Sequence, residues 1–216
     1  TNGDEYTYGT DPTASDTDED GMPDGWEVTY YLNPLDDDDA GSDSDSDGLT
    51  ALEECTVGTD PGFWDSDSDL MPDGWEVTYG LDPTDSSDYC YDADADDLIN
   101  WDEYFYGTDP TNADSDNDGM PDGWEMTYFL ILNPLDPDDA TSDSDSDILA
   151  AVEEYLFGTD PANPDSDWDS MPDGWEVTYG LNPTDPSDGW EDADNDGLEN
   201  SLEYTAGTFP YSADSD

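Results

Sequence analysis

Apolar residues in this chain come in short runs that recur. Trp26-Glu-Val-Thr-Tyr30 returns as Trp75-Glu-Val-Thr-Tyr79, Trp124-Glu-Met-Thr-Tyr128 and Trp175-Glu-Val-Thr-Tyr179. Two of these runs stop at Gly80 and Gly180, followed by Asp-Pro or Asn-Pro. Glycine just past a helix and proline beyond it are stop signals, so about two helical turns are predicted for each run. Val and Tyr would suit a strand as well. The pair Asp24 and Glu27, spaced as a capping pair behind Pro23, favours the helix. A second set of runs begins at Glu54, Glu103, Glu154 and Glu203 and stops at Gly58, Gly107, Gly158 and Gly207. Helices this short are unstable alone. The recurring Trp26, Trp75, Trp124 and Trp175, with Leu49, Leu52, Tyr104, Tyr155 and Tyr204, are therefore assigned to packing between neighbouring units and not to a sugar-binding platform. The predicted fold is mainly irregular with short α-helices: tandem loop-helix repeats forming an elongated, solenoid-like rod.

The polar stretches between the runs are equally regular. Asp16 to Glu27 places Asp at positions 1, 3, 5 and 9, Gly at 6 and Glu at 12 of a twelve-residue loop. This is the spacing of a calcium loop. A hard cation takes six to eight oxygens. Alternate short carboxylates wrap one side, the position-7 carbonyl adds an oxygen, and a Glu in the following helix closes the shell. The ligands expected here are Asp16, Asp18, Asp20, Met22, Asp24 and Glu27. Three further loops of this first type carry Asp65, Asp67, Asp69, Met71, Asp73 and Glu76; Asp114, Asp116, Asp118, Met120, Asp122 and Glu125; and Asp165, Asp167, Asp169, Met171, Asp173 and Glu176. A second type alternates with them. Its candidates are Asp43, Asp45, Asp47, Leu49 and Glu54; Asp92, Asp94, Asp96, Leu98, Asn100 and Glu103; Asp143, Asp145, Asp147, Leu149 and Glu154; and Asp192, Asp194, Asp196, Leu198, Asn200 and Glu203. Met and Leu enter through their backbone carbonyls. Where position 9 is Ala51 or Ala151, water is expected to fill in.

Eight Ca2+ ions at most are implied. The disordered acidic tail that a lone Asp-x-Asp run would suggest does not explain a register kept in every loop. Position 6 wants glycine for a positive-φ turn. Gly21, Gly48, Gly119 and Gly197 comply, whereas Leu70, Asp97, Ile148 and Ser170 do not. The loops at Asp16, Asp114 and Asp192 are accordingly expected to bind best and that at Asp143 worst. Asp11, Asp60, Asp109 and Asp160, each five residues before a loop, are read either as bridging ligands or as turn formers.

Loop starts fall at residues 16, 43, 65, 92, 114, 143, 165 and 192. The step from second type to first is always 22, which predicts a rigid junction; the other step is 27, or 29 where Tyr128-Phe-Leu-Ile-Leu-Asn-Pro134 carries an insertion. Repeats of two loops are assigned to 16–64, 65–113, 114–164 and 165–213, and a longer period of about a hundred residues holds four loops. Residues 1–15 read as the end of a preceding repeat, with Asn2 and Glu5 at positions 9 and 12. Residues 214–216 read as the start of another. A window on a longer exported array is expected.

Composition changes the picture once. Among 216 residues there are 63 acids and no Lys, Arg or His, for a formal charge of −63. Self-repulsion on this scale opposes a compact chain unless cations from outside supply the missing charge. Nothing basic meets phosphate, so nucleic acid is excluded as a direct partner. No apolar stretch predicts membrane insertion. Without His, Lys or Arg to serve as base, electrophile or anion clamp, catalysis is not expected. Cys55 and Cys90 could pair, but Cys55 stands where sister repeats have Tyr104, Tyr155 and Tyr204, which argues for packing. There is no Asn-x-Ser/Thr sequon, so any glycans would sit on Ser or Thr.

The repeated Gly-Thr-Asp-Pro-x-x-x-Asp-Ser-Asp-x-Asp-Gly-Met-Pro-Asp-Gly-Trp-Glu-Val, with Gly-Leu-Asn-Pro, resembles the bacterial thrombospondin type-3 repeat over essentially the whole chain. The animal repeat is similar in its acidic cores but rich in cysteine. The resemblance implies calcium-bound, elongated arrays in extracellular or cell-surface proteins. The expected role is a calcium-rigidified spacer or fibre subunit, its partners being neighbouring repeats or copies of itself in a filament. An adhesive or dockerin-like binding module and an acidic calcium buffer are the alternatives.

Overall fold

The computed structural model describes residues 7–213, so the readings of Asn2, Glu5, Asp214 and Asp216 lie outside the described residues. The chain divides into two compact units, Thr1–Thr111 and Asn112–Asp216. Four of the eight loops belong to each. In the first unit the described α-helices include Asp24–Thr29, Ala51–Val57, Asp73–Tyr79 and Asn100–Tyr106. In the second they are Asp122–Thr127, Ala151–Phe157, Asp173–Tyr179 and Asn200–Ala206. One turn of 3-10 helix precedes each second-type loop, at Asp39–Gly41, Asp88–Cys90, Asp139–Thr141 and Asp188–Trp190. There is no strand among the described residues.

The helix stops follow the predicted chemistry. Gly58, Gly80, Gly107, Gly158, Gly180 and Gly207 take left-handed φ values from 76° to 96°, which cost glycine nothing. Helices Asp24–Thr29 and Asp122–Thr127 lack this glycine and end a residue sooner, at Tyr30 and Tyr128.

The starts require a correction. Pro23, Pro72, Pro121 and Pro172 are themselves the N-caps and provide no side-chain cap. The expected Asp24–Glu27 capping pair does not form, because the Asp24 carboxylate turns back into the loop. Its two oxygens accept from Thr17 N–H at 2.7 Å and the Thr17 hydroxyl at 2.8 Å. A true capping box occurs at Thr50, whose N–H donates to Glu53 at 2.8 Å while its hydroxyl accepts from Glu53 N–H at 3.4 Å.

Packing is local. Met22, Met71, Met120 and Met171, all at loop position 7, are fully buried. Met22 packs with Ala40 and Ala51, flanked by Trp26, Leu32, Leu52 and Cys55. Met120 packs with Leu132, Ala140 and Ala151, flanked by Trp124 and Tyr155. The tryptophan of one loop meets the tyrosine of the next edge to face at 5.3 Å, as Trp75–Tyr104, Trp124–Tyr155 and Trp175–Tyr204. Such a pair is worth about 0.5–1.5 kcal/mol beyond its buried area. Cys55 occupies the tyrosine place beside Trp26, and both Cys55 and Cys90 are free thiols.

Within each unit the step of 22 has a steric cause. The helix Asp73–Tyr79 lies so close to the preceding loop that a methyl on Gly74 would collide with the Asp47 carbonyl oxygen. Gly174 stands against the Asp147 carbonyl in the same way, and its N–H donates to the Asp147 carboxylate at 2.8 Å. One residue more or less between the loops would destroy this register. Gly174→Ala should destabilise the calcium-loaded second unit by about 1–3 kcal/mol, the usual cost of overpacking. Gly158→Ala, which meets open space but has φ +77°, should cost less. Thermal melts of the two variants decide, and an unshifted melt for Gly174→Ala would refute the close-contact account.

Candidate metal centres

All eight loops share one backbone shape. The position-1 carboxylate accepts N–H groups from further along its own loop: Asp16 takes Glu19 at 2.7 Å and Gly21 at 3.1 Å. Asp143 takes Ser146 at 2.7 Å and Ile148 at 3.2 Å. The position-5 carboxylate accepts the position-7 N–H, as Asp20 does from Met22 at 2.7 Å and Asp169 from Met171 at 2.9 Å. Closing these bonds requires positive φ at position 6. Gly21, Gly48, Gly119 and Gly197 take φ of 102–103°. Leu70, Asp97, Ile148 and Ser170 are driven into the same region, at 82°, 77°, 93° and 83°. Loss of glycine therefore leaves the loop shape intact and adds strain, greatest in kind for the β-branched Ile148.

The carboxylates arranged in this way converge. Asp16, Asp18 and Asp20 bring ligand oxygens within 4.8 Å of one another, as do Asp43, Asp45 and Asp47, and Asp65, Asp67 and Asp69. All eight position-12 glutamates are fully buried. Glu27, Glu76, Glu125, Glu154, Glu176 and Glu203 have both carboxylate oxygens buried with no hydrogen-bond donor. Asn100 and Asn200 donate to the Asp88 and Asp188 carbonyls at 2.9 and 2.8 Å, and leave Oδ1 buried and unsatisfied.

Two placements depart from the sequence reading. Asp73 accepts from Ser66 N–H at 2.8 Å in its own loop, but its carboxylate also gathers with Asp47 and Glu54 of the loop before it. It thereby supplies the oxygen that Ala51 cannot. Asp173 stands near enough to Glu154 to help it retain its proton. The second departure is a ligand type not foreseen. Asp39 lies within the cluster of Asp20 and Glu27. Its Oδ2 accepts from Asn33 N–H at 2.8 Å, while Oδ1 is buried without a donor. Asp88, Asp139 and Asp188 repeat both features, accepting from Asp82, Asn133 and Asn182 at 3.0, 2.7 and 2.9 Å. The sequence does carry a signal for them: Pro-x-Asp-x-x-Asp ends at each of the four.

Asp11, Asp60, Asp109 and Asp160 all form turns. Their Oδ1 atoms accept the N–H two residues on, from Thr13, Gly62, Thr111 and Ala162 at 2.8, 3.1, 3.0 and 3.1 Å.

Electrostatics show what the clusters lack. Burial first, then the carboxylates of Asp69, Asp67 and Asp88, push Glu76 up to about 9. Burial and the matching aspartates raise Glu125 and Glu176 to about 9 and Glu27, Glu54 and Glu154 to about 8. Asp67, Asp116, Asp145 and Asp169 rise to about 6, again mainly through burial. Buried charge of one sign must be protonated or matched by a cation. The donor set is all oxygen, dense and partly flexible, which fits a hard ion such as Ca2+.

Fold and sites together define a class: tandem acidic loop-helix repeats suited to binding calcium. A family model described as the Bacterial TSP3 repeat matches residues 1–15, 16–36, 114–128 and 192–210, so the chain carries repeats of this family at four places. No curated protein and no solved structure matches the chain. Among the described residues no helix is long and apolar enough to cross a membrane.

Two outcomes are expected. A glutamate whose native pKa is raised stabilises the fold while protonated; that contribution is full below about pH 4.5 and is lost as pH rises through about 8 to 9. Stripped of divalent ions, the chain should hold more helix at pH 4 than at pH 9 by circular dichroism, and Ca2+ should restore the helix at pH 9. Helicity that rises with pH in the stripped chain would contradict the burial argument. Separately, Ile148→Gly removes strain of about 1–3 kcal/mol. Calcium affinity of the loop Asp143–Glu154 should rise about tenfold, read by site-resolved NMR titration.

Proposed function

We propose that the chain is a calcium-rigidified extracellular spacer or fibre subunit with no catalytic role. One observation carries this reading: glutamates with both oxygens buried and donorless recur at loop position 12, in a chain with no Lys, Arg or His to match them. The ligands are positions 1, 3, 5 and 12 of each loop, the position-7 carbonyl, Asn100 and Asn200, joined by Asp39, Asp88, Asp139 and Asp188. Asp73 and Asp173 serve the loop before their own. Each ion then ties a loop to the turn or helix that follows it, so binding energy supplies folding energy. Calcium sites of extracellular modules work at about 10⁻⁴–10⁻³ M, a range that suits a permanent scaffold and not a cytosolic buffer.

Eight divalent ions would lower the formal charge of −63 by 16, to about −47. That charge keeps rods soluble and apart unless cations or glycans bridge them. Partners are therefore neighbouring repeats and, in a filament, further copies of the chain.

The test combines chelation with scattering. In Ca2+ the chain should scatter as a rod much longer than the roughly 17 Å radius of gyration of a 216-residue globule. Chelation at pH 7 should abolish helical circular dichroism, and added Ca2+ should restore it. A compact particle would refute the spacer reading; a spectrum indifferent to chelator would refute the calcium scaffold.

A further inference from the structure

One tryptophan stands largely in solvent. Trp168 sits at loop position 4, where the other loops have Glu19, Ser46, Ser68, Ala95, Asn117, Ser146 and Asn195. The position holds positive φ, 68° at Trp168, which is costly for a bulky side chain. The residue is 79% exposed and makes no ring contact of the kind that Trp175 makes with Tyr179 and Tyr204. It borders an open cleft of about 400 Å³ in the second unit, with Tyr128, Asp160, Ser166, Asp167 and Thr184 among the other walls. That volume lies within the range of ligand pockets, about 300–1,000 Å³.

The walls select the ligand chemistry. Both charged groups, Asp160 and Asp167, are anionic. The Thr184 hydroxyl gives its proton to Asn182 at 3.0 Å. The Ser166 hydroxyl accepts from Asp160 N–H at 2.8 Å and binds the Asp173 carboxylate. What remains is mostly acceptor oxygen beside aromatic rings. A guanidinium is a pure donor, carries charge, and stacks its plane on an indole face. Asp160 holds a turn through Oδ1, which accepts the Ala162 N–H at 3.1 Å. Within these 216 residues there is no Lys, Arg or His, so no copy of this stretch can fill the cleft. The surrounding anionic field favours a cationic visitor.

We propose that this cleft binds an arginine side chain of a basic partner segment, stacked on Trp168 and paired with Asp160. The spacer would then carry one specific anchoring point for another protein. The first unit supplies a natural control. Tyr30, Asp60, Ser66, Asp67 and Thr84 correspond to the walls named above, but Ser68 replaces Trp168 and Ser86 replaces Pro186, a further wall residue. Ser68 takes φ 69°, so Trp168→Ser is compatible with the same backbone.

The experiment is calorimetric titration of the 216-residue chain in excess Ca2+ and about 0.15 M salt, where surface attraction is screened. The probes are N-acetyl-Gly-Arg-Gly-amide, its neutral citrulline counterpart and methyl glucoside. One saturable site for the arginine peptide is expected, with citrulline at least tenfold weaker and the glucoside silent. Trp168→Ser should weaken arginine binding at least tenfold. Ser68→Trp combined with Ser86→Pro should raise the stoichiometry from one to two. Arginine binding unchanged by Trp168→Ser would reduce the effect to general polyanion attraction and overturn the proposal. Equal binding of citrulline, preference for the glucoside, or no binding at all would overturn it as well. Because calcium is saturating throughout, these outcomes are independent of the scaffold reading.

Discussion

Everything in this fold depends on burying carboxylates that have nothing to pair with. In each loop the position-1 carboxylate gives both oxygens to backbone N–H groups, as Asp16 and Asp143 do, whereas the position-5 carboxylate gives one, as Asp20 does, and leaves the other buried among like charge. In water the repulsion would open the loop. At the position-12 glutamates the conflict is sharpest, since burial and neighbouring aspartates hold their protons to pH values where free carboxylates are fully ionised. A hydrophobic core does not resolve it: the buried apolar set is small, led by four methionines and a few Ala and Leu side chains. Energetically the polar clusters are the core, and the aromatic pairs around them fix orientation.

Because the clusters recruit across the repeat, ion binding and repeat stacking become one event. Asp73 is held by Ser66 within its own loop and simultaneously faces Asp47 and Glu54 of the previous one. Asp39 belongs to a 3-10 turn yet completes the group of Asp20 and Glu27. A site built only from its own twelve residues would close locally and leave the junctions loose. A site that borrows a carboxylate from the next element converts metal affinity into stiffness between elements.

How much of this was legible in the sequence follows from the kind of signal involved. Positions 1, 3, 5 and 12 and the glycine stops were readable because local geometry demands those residue types at fixed spacing. The Trp–Tyr contacts followed from recurrence. Asp39 and its counterparts were not singled out because chain distance from the loop varies: Asp39 follows Glu27 by 12 residues and Asp139 follows Glu125 by 14. Their constancy lies in the local Pro-x-Asp-x-x-Asp turn. The double role of Asp73 was hidden for the opposite reason, since position 9 has a conventional reading that it only partly obeys. The capping pair failed on the same residue: a carboxylate occupied by Thr17 or Ser66 cannot also cap the helix behind it.

The two junctions divide the mechanical labour. Where second type meets first, Gly74 and Gly174 lie against backbone carbonyls and Asp73 crosses into the neighbouring cluster, so the step of 22 tolerates no insertion. Where first type meets second, the crossing ligand sits at the end of a turn-rich connection. The added residues around Phe129 and Leu130 are extruded to the surface, at 64% and 84% exposure, while Leu132 still reaches the core. Asp139 keeps its place beside Glu125 despite the longer path. Length variation is therefore absorbed ahead of the ligand-bearing turn, where it does not disturb a carboxylate cluster. The repeat keeps its metal chemistry constant while one side of it remains free to change length and expose new side chains to solvent.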